Sequence, residues 1–163
     1  MIEHALRQDR TALVVDDDVF IVSALAELLE EDGFDVHTAS NGYSAFRLAL
    51  ELRPSVLLLD LALPERSGGE LLEDLRADPV TREMAIVVVT GHADSLSESQ
   101  IAETDGLVTK PFDDVELLNT VHRAQQRAAA RRAEVAPVVA GSHREAVPRP
   151  RRASSTRRSR GRR

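Results

Sequence analysis

The 163-residue chain has no cysteine, no tryptophan, one tyrosine and a single lysine. Absence of cysteine excludes disulfides, thiolate zinc sites and a cysteine nucleophile, and suits a reducing, cytoplasmic setting. Aromatic residues make up 3% of the chain against 42% hydrophobic, so any core must be aliphatic. No apolar run approaches the length of a membrane span, and MIEHALRQDR at the start carries acids but no apolar segment of a secretory signal. Neither membrane insertion nor secretion is expected. The length suits one ordinary domain plus an appendage. The net charge of −6 conceals a division, because residues 1–122 hold 8 basic and 25 acidic side chains whereas residues 123–163 hold 13 and 2. An acidic body carries a basic tail.

Along the body, strand and helix patterns alternate. ALVVD (12–16) is a short apolar run of the kind buried on both faces. Ile21, Ala24, Leu25, Leu28 and Leu29 then recur at helical spacing, with Asp18 placed to cap the start and Gly33 to end the helix. DVHTA (35–39) reads as a second strand, Asn41 and Gly42 as a turn, and residues 43–52 as a helix closed by Pro54. Residues 56–60 predict a third strand, 69–77 a third helix and 85–90 a fourth strand. A weakly patterned helix at 95–103 and a short strand at 107–109 follow. Asp113 and Glu116 have capping-box spacing ahead of a fifth helix, whose apolar stripe is Val115, Leu117, Leu118, Val121 and Ala124. It runs into an Ala/Arg-rich stretch ending near Ala133. Five such cycles predict an α/β fold with a parallel sheet covered by helices on both faces. The expected organisation is an N-terminal extension at 1–10, a domain at 11–133, and a disordered arginine-rich tail at 134–163 with almost nothing to bury.

In an open parallel sheet, ligands bind beyond the C-terminal ends of the strands. Here the first strand ends in Asp16 and Asp17, the third in Asp60, the fourth in Thr90, and the last in Lys110 followed by Pro111. Three crowded carboxylates resist ionisation unless a cation sits among them, and Mg2+ with its preference for oxygen ligands answers that need. Singly, each residue has a plainer account: Asp18 as a helix cap, Asp60 as the start of a turn before Pro64, Thr90 as a β-branched strand residue, Lys110 as a solvated charge. For Asp18 alone the cap is preferred. At successive strand ends of one consistent pattern, the others read as a single site.

VVDDD (14–18), DLALPERSG (60–68), TG (90–91) and KPF (110–112) resemble, in order and spacing, the receiver domain of two-component response regulators. The resemblance covers about residues 10–130. It implies a five-stranded, doubly wound, flavodoxin-like sheet of order 2-1-3-4-5 and a stand-alone, chemotaxis-regulator-like module. It further implies that Asp60 accepts a phosphoryl group from a histidine kinase or phosphotransfer protein. Asp17, Asp60 and the backbone carbonyl of Ala62 would ligate Mg2+, with Asp16 acting largely through bound water. Thr90 and Lys110 would hold phosphoryl oxygens and throw the switch, with a cis peptide before Pro111. Lys110 is also the only lysine among 21 basic residues, which suggests a position needing a compact charge on a flexible stem. On this reading the protein is no enzyme beyond supporting its own phosphorylation and dephosphorylation, and its output goes to an unknown partner protein. His92, two residues past Thr90, can shape water access or be an ordinary surface histidine.

Some positions depart from the resemblance. Leu107 stands where the family usually has an aromatic switch residue, the interval from Thr90 to Lys110 is slightly short, and ETDG (103–106) lacks the usual small pair. The aromatic-rotamer mechanism therefore does not transfer unchanged. The 30 residues after Ala133 are too few and too polar for a DNA-binding module. An alternative function is nucleic-acid or other polyanion binding through residues 134–163, regulated by the receiver. An inert scaffold would be free to lose the acidic set, and a haloacid-type phosphatase would place a second Asp soon after its nucleophile, where this chain has LALP (61–64).

Overall fold

Five short runs become the strands β1 (Thr11–Val15), β2 (Asp35–Ala39), β3 (Val56–Leu59), β4 (Ala85–Thr90) and β5 (Gly106–Thr109). In the computed structural model, which describes residues 10–136, they form one parallel sheet in the order β2-β1-β3-β4-β5. The expected N-terminal extension, apart from Arg10, and the arginine-rich segment beyond Ala136, with its polyanion-binding reading, lie outside the described residues. Helices α1 (Val19–Glu31), α2 (Gly42–Leu52), α3 (Gly68–Ala77), α4 (Glu98–Glu103) and α5 (Asp114–Val135) cover the two faces.

Alternation along the strands divides the core. Ala12, Val14, Leu58, Val87, Val89 and Val108 meet Leu25 and Leu29 of α1 and Leu117, Val121, Ala124 and Ala128 of α5. Leu13, Val15, Leu57, Leu59 and Ile86 meet Ala45 and Ala49 of α2 and Leu71, Leu72 and Leu75 of α3. The core is aliphatic, as the composition requires, with Phe34 its one buried aromatic among the described residues.

Element boundaries depart from the sequence pattern for identifiable reasons. Asn41 and Gly42 do not form a separate turn: Asn41 accepts a hydrogen bond from Ser44 N at 2.9 Å and caps α2, which begins at Gly42. The same short polar side chain serves turns and caps, so the pattern alone does not separate them. The expected helix at 95–103 splits into a 3-10 turn (Ala93–Ser95) and α4, because the chain between them turns Leu96 inward onto Leu61 and Val88. Val115 leaves the expected stripe and is 65% exposed. Leu117, Val121, Ala124 and Ala128, spaced four, three and four, face the sheet, and Thr120 is buried beside them.

Among the described residues, the most heavily bonded carboxylate joins β4, α3 and α5. Asp105, 5% exposed, accepts from Ile86 N at 2.9 Å, Arg76 Nη2 at 2.9 Å, and Arg131 Nη1 and Nη2 at 2.6 and 3.2 Å. Arg127 donates to its carbonyl at 3.0 Å. Burial draws the Arg76 guanidinium below its ordinary pKa while Asp105 opposes the shift; the hydrogen bond to Asp105 raises Arg131. The ETDG departure thus has a structural use, since Asp105 fastens the arginine-rich half of α5 to the sheet. Asp105→Ala takes away the acceptor of Ile86 N–H and the counter-charge of the mostly buried Arg76 guanidinium, which keeps only the carbonyls of Arg82, Met84 and Glu103. It is expected to cost about 3–5 kcal/mol, the usual loss for breaking one side of a buried ion pair. Urea unfolding of the variant against the unmodified chain measures it.

Candidate functional site

The sheet register brings the acids together. Val15 pairs with Ala39 and with Leu59, so β1, β2 and β3 end at one level. The ladder continues one step, with Asp60 N donating to Val15 O at 2.9 Å and Asp16 N to Ala39 O at 3.2 Å. Asp16 and Asp60 are therefore neighbours, 2% and 5% exposed, and Asp17 beside them is exposed. Carboxylate oxygens of the three lie within 4.8 Å of one another. Next to Asp16 and Asp17 a cavity of about 430 Å³ opens between α1 and α2.

Lys110 enters from the far edge. Thr90 pairs with Thr109, and Lys110 N donates to Thr90 O at 3.0 Å, which sets the lysine at the same sheet edge. Its Nζ lies 2.5 Å from Asp16 Oδ2 and 3.3 Å from Asp60 Oδ2. Burial works against the ammonium, but the hydrogen bond to Asp16 and the charge of Asp60 outweigh it and hold Lys110 above the usual lysine range. The peptide bond from Lys110 to Pro111 is cis. Thr90 is fully buried, and its Oγ1 accepts from His92 N at 3.1 Å, so His92 meets Thr90 through its backbone. Ala62 N approaches Asp60 Oδ1 at 3.4 Å. Asp18 has the plainer role, capping α1 by accepting from Phe20 N and Ile21 N at 2.9 and 3.4 Å. Leu107 sits partly exposed on the edge strand β5 and takes no part in the acidic cluster.

Residues 12–122 match the response regulator receiver domain. The chain belongs to that family. The receiver domain is similar to the transcriptional regulatory protein KdpE of Mycobacterium tuberculosis, 40% identical over 122 residues that cover 74% of this chain and 50% of KdpE. It also matches the phosphate regulon transcriptional regulatory protein PhoB of Pseudomonas aeruginosa, 33% identical over 67% of this chain and 48% of PhoB. The chain spans about half the length of the curated relatives it matches. Among solved structures, a sensor protein from Polaromonas sp. JS666 aligns with a TM-score of 0.68 at 30% identity, covering 72% of this chain and 97% of the other. A CheY-like receiver domain from Methylobacillus flagellatus aligns at 0.65 and 28%, covering 71% and 98%.

One residue that shapes the receiver's site carried no role in the sequence reading. A Cβ on Gly68 would fall 2.2 Å from Asp60 O and 2.7 Å from Leu61 Cα, and Gly68 N donates to Leu61 O at 2.9 Å. The first turn of α3 rests on the backbone of Asp60 itself, a closeness only glycine permits. The available signal was the Ser-Gly-Gly run at 67–69, whose serine caps α3 in a capping box with Glu70. Gly68→Ala should destabilise by about 1–3 kcal/mol through overpacking, outweighing the roughly 1 kcal/mol that alanine gains over glycine in a helix. At Gly69 the added Cβ meets the side-chain amide of Gln100 at 2.7 Å, which can shift at the expense of its exposed bonds to Ser97 N and Glu73, so Gly69→Ala should cost less than Gly68→Ala. Denaturant midpoints of the two variants make the comparison.

Proposed function

We propose that this receiver is a phospho-acceptor switch of a cytoplasmic two-component phosphorelay, in which Asp60 takes a phosphoryl group from a histidine kinase or phosphotransfer protein and a partner protein reads the result. The supporting observation is the gathering of Asp16, Asp17 and Asp60 at one sheet edge, with the single lysine paired to Asp16 and Asp60. Three clustered carboxylates, two of them paired with one ammonium, leave an excess of negative charge that a hard divalent cation fits, since every side-chain donor is a carboxylate oxygen. Asp17, Asp60 and the Ala62 carbonyl would hold Mg2+, with Asp16 acting largely through water. Bound Mg2+ supplies neutralisation of charge on the phosphoryl oxygens.

The remaining chemistry belongs to the chain. A carboxylate oxygen of Asp60 attacks phosphorus; the new P–O bond forms as the P–N bond to the donor imidazole breaks, and the imidazole departs with that electron pair and takes a proton from solvent. Lys110, already 3.3 Å from Asp60 Oδ2, offers its ammonium to one phosphoryl oxygen. Thr90 accepts from His92 N, which leaves the hydroxyl proton free for another. Water attack on the acyl phosphate reverses the state, and no other turnover is assigned. Leu107 offers no aromatic rotamer, so the state is read through Thr90 and Lys110.

Incubation with Mg2+ and a small acyl phosphate should add one phosphoryl group by intact mass. Asp60→Ala and EDTA should each abolish the gain, and hydroxylamine-sensitive label persisting on Asp60→Ala would refute the assignment. Arginine keeps the charge of Lys110 but is planar and bulkier. Lys110→Arg should accept the phosphoryl group yet lose most of the change in amide exchange that phosphorylation causes in the unmodified protein.

A further inference from the structure

Arg66 lies in the loop between β3 and α3, six residues after Asp60, and its side chain is only 16% exposed. The guanidinium carbon stands 5.8 Å from the ring centroid of Tyr43 and 5.9 Å from that of Phe46, both on α2. The same group pairs with Asp74 on α3. Its methylenes fill the space above Gly42, where an added Cβ would come within 3.2 Å of Arg66 Cδ. One side chain therefore bridges the two helices that flank the loop. A planar cation suits two ring contacts and one carboxylate at once, which a lysine ammonium does not.

The backbone under this bridge is strained. Glu65 has φ 67, and Arg66 N donates to Pro64 O at 2.7 Å, closing a three-residue turn around it. A non-glycine residue persists there when its surroundings over-determine the conformation. The turn sits between two contacts that reach the acidic cluster: Ala62 N on Asp60 Oδ1 at 3.4 Å, and Gly68 against the Asp60 carbonyl.

We propose that Arg66 is a positioning residue, which clamps the strained turn at Glu65 between α2 and α3 and thereby fixes the Ala62 backbone beside Asp60. The inference rests on the reading of Asp60 and Ala62 as the phosphoryl and Mg2+ site. Two readouts test it on the full chain: amide exchange by NMR, and titration with Mg2+ alone. Arg66→Ala should speed exchange at position 66 and at Gly68 while Leu13, Leu58 and Val87 keep their protection. It should also weaken Mg2+ binding roughly tenfold, the lower range for removing a group that orients a metal site. Tyr43→Ala removes an exposed ring and should speed exchange at the same amides about two- to fivefold, the change expected for losing one surface cation–π contact. Arg66→Lys, which keeps the charge opposite Asp74 but has no planar face, should fall between. An unchanged Mg2+ affinity in Arg66→Ala would overturn the proposal, as would acceleration spread evenly over the strands in both Arg66→Ala and Tyr43→Ala. Failure of the unmodified protein to bind Mg2+ would strike the phospho-acceptor reading instead, and local exchange then decides the clamp.

Discussion

Two nearly buried carboxylates, Asp16 and Asp60, share one ammonium at the edge of a parallel sheet, and a third carboxylate stands beside them. Desolvation and mutual repulsion both oppose such a cluster. Lys110 offsets part of the opposition by crossing from β5, but one positive charge against three negative leaves the site short of cation. That deficit is one a divalent metal can relieve, and an incoming anionic phosphoryl group deepens the need for it, so the acids are more useful than they are stabilising. The sheet accepts the cost because its stability comes from elsewhere, from strands such as β3 and β4 that are buried along their whole length.

The cluster depends on levels as much as on residues. Because β1, β2 and β3 end in register, the first polar residue after β1 and after β3 emerge side by side, without any loop needing to be ordered to bring them there. Gly68 then lets α3 start directly on the Asp60 backbone, and the strained turn at Glu65 takes up the chain between. Lys110 reaches the site from the edge strand, where the Thr109 pairing with Thr90 fixes its height.

The strand ends were legible because each buried run stops abruptly at a polar residue, and that stop is a local property of the chain. Asp16 with its neighbour Asp17, Asp60 and Thr90 could be found so, whereas β5 buries only Val108 and Lys110 stood out instead as the single lysine. Arg66 and Asp105 could not, since their partners Tyr43, Phe46, Asp74, Arg76 and Arg131 become neighbours only when helices pack. The inward turn of Leu96 was equally hidden, because the demand for it comes from Leu61 and Val88. Val115 fits a helical stripe in sequence but falls outside the arc that α5 presents to the sheet, an orientation set by Leu117 and Val121.

Two ion pairs hold α3. Asp74 is tied to Arg66, and Arg76 near the helix end is tied to Asp105, so α3 is braced to the loop before it and to the β4–β5 side. By contrast α4 has six residues and none of them is buried. It meets α3 through polar contacts, Gln100 Nε2 with Glu73 Oε1 at 3.0 Å and Arg76 Nε with the Glu103 carbonyl at 2.8 Å. Local stability follows buried contact, and elements that move are drawn from its lower end. The chain from His92 to α4 follows directly on Thr90, whose hydroxyl already holds the His92 N–H. Should Thr90 carry the proposed switch, its hydroxyl would act on a segment that Leu96 anchors to Leu61 and Val88 and that ends in an α4 with no buried residue, whereas α3 is buried and braced by ion pairs.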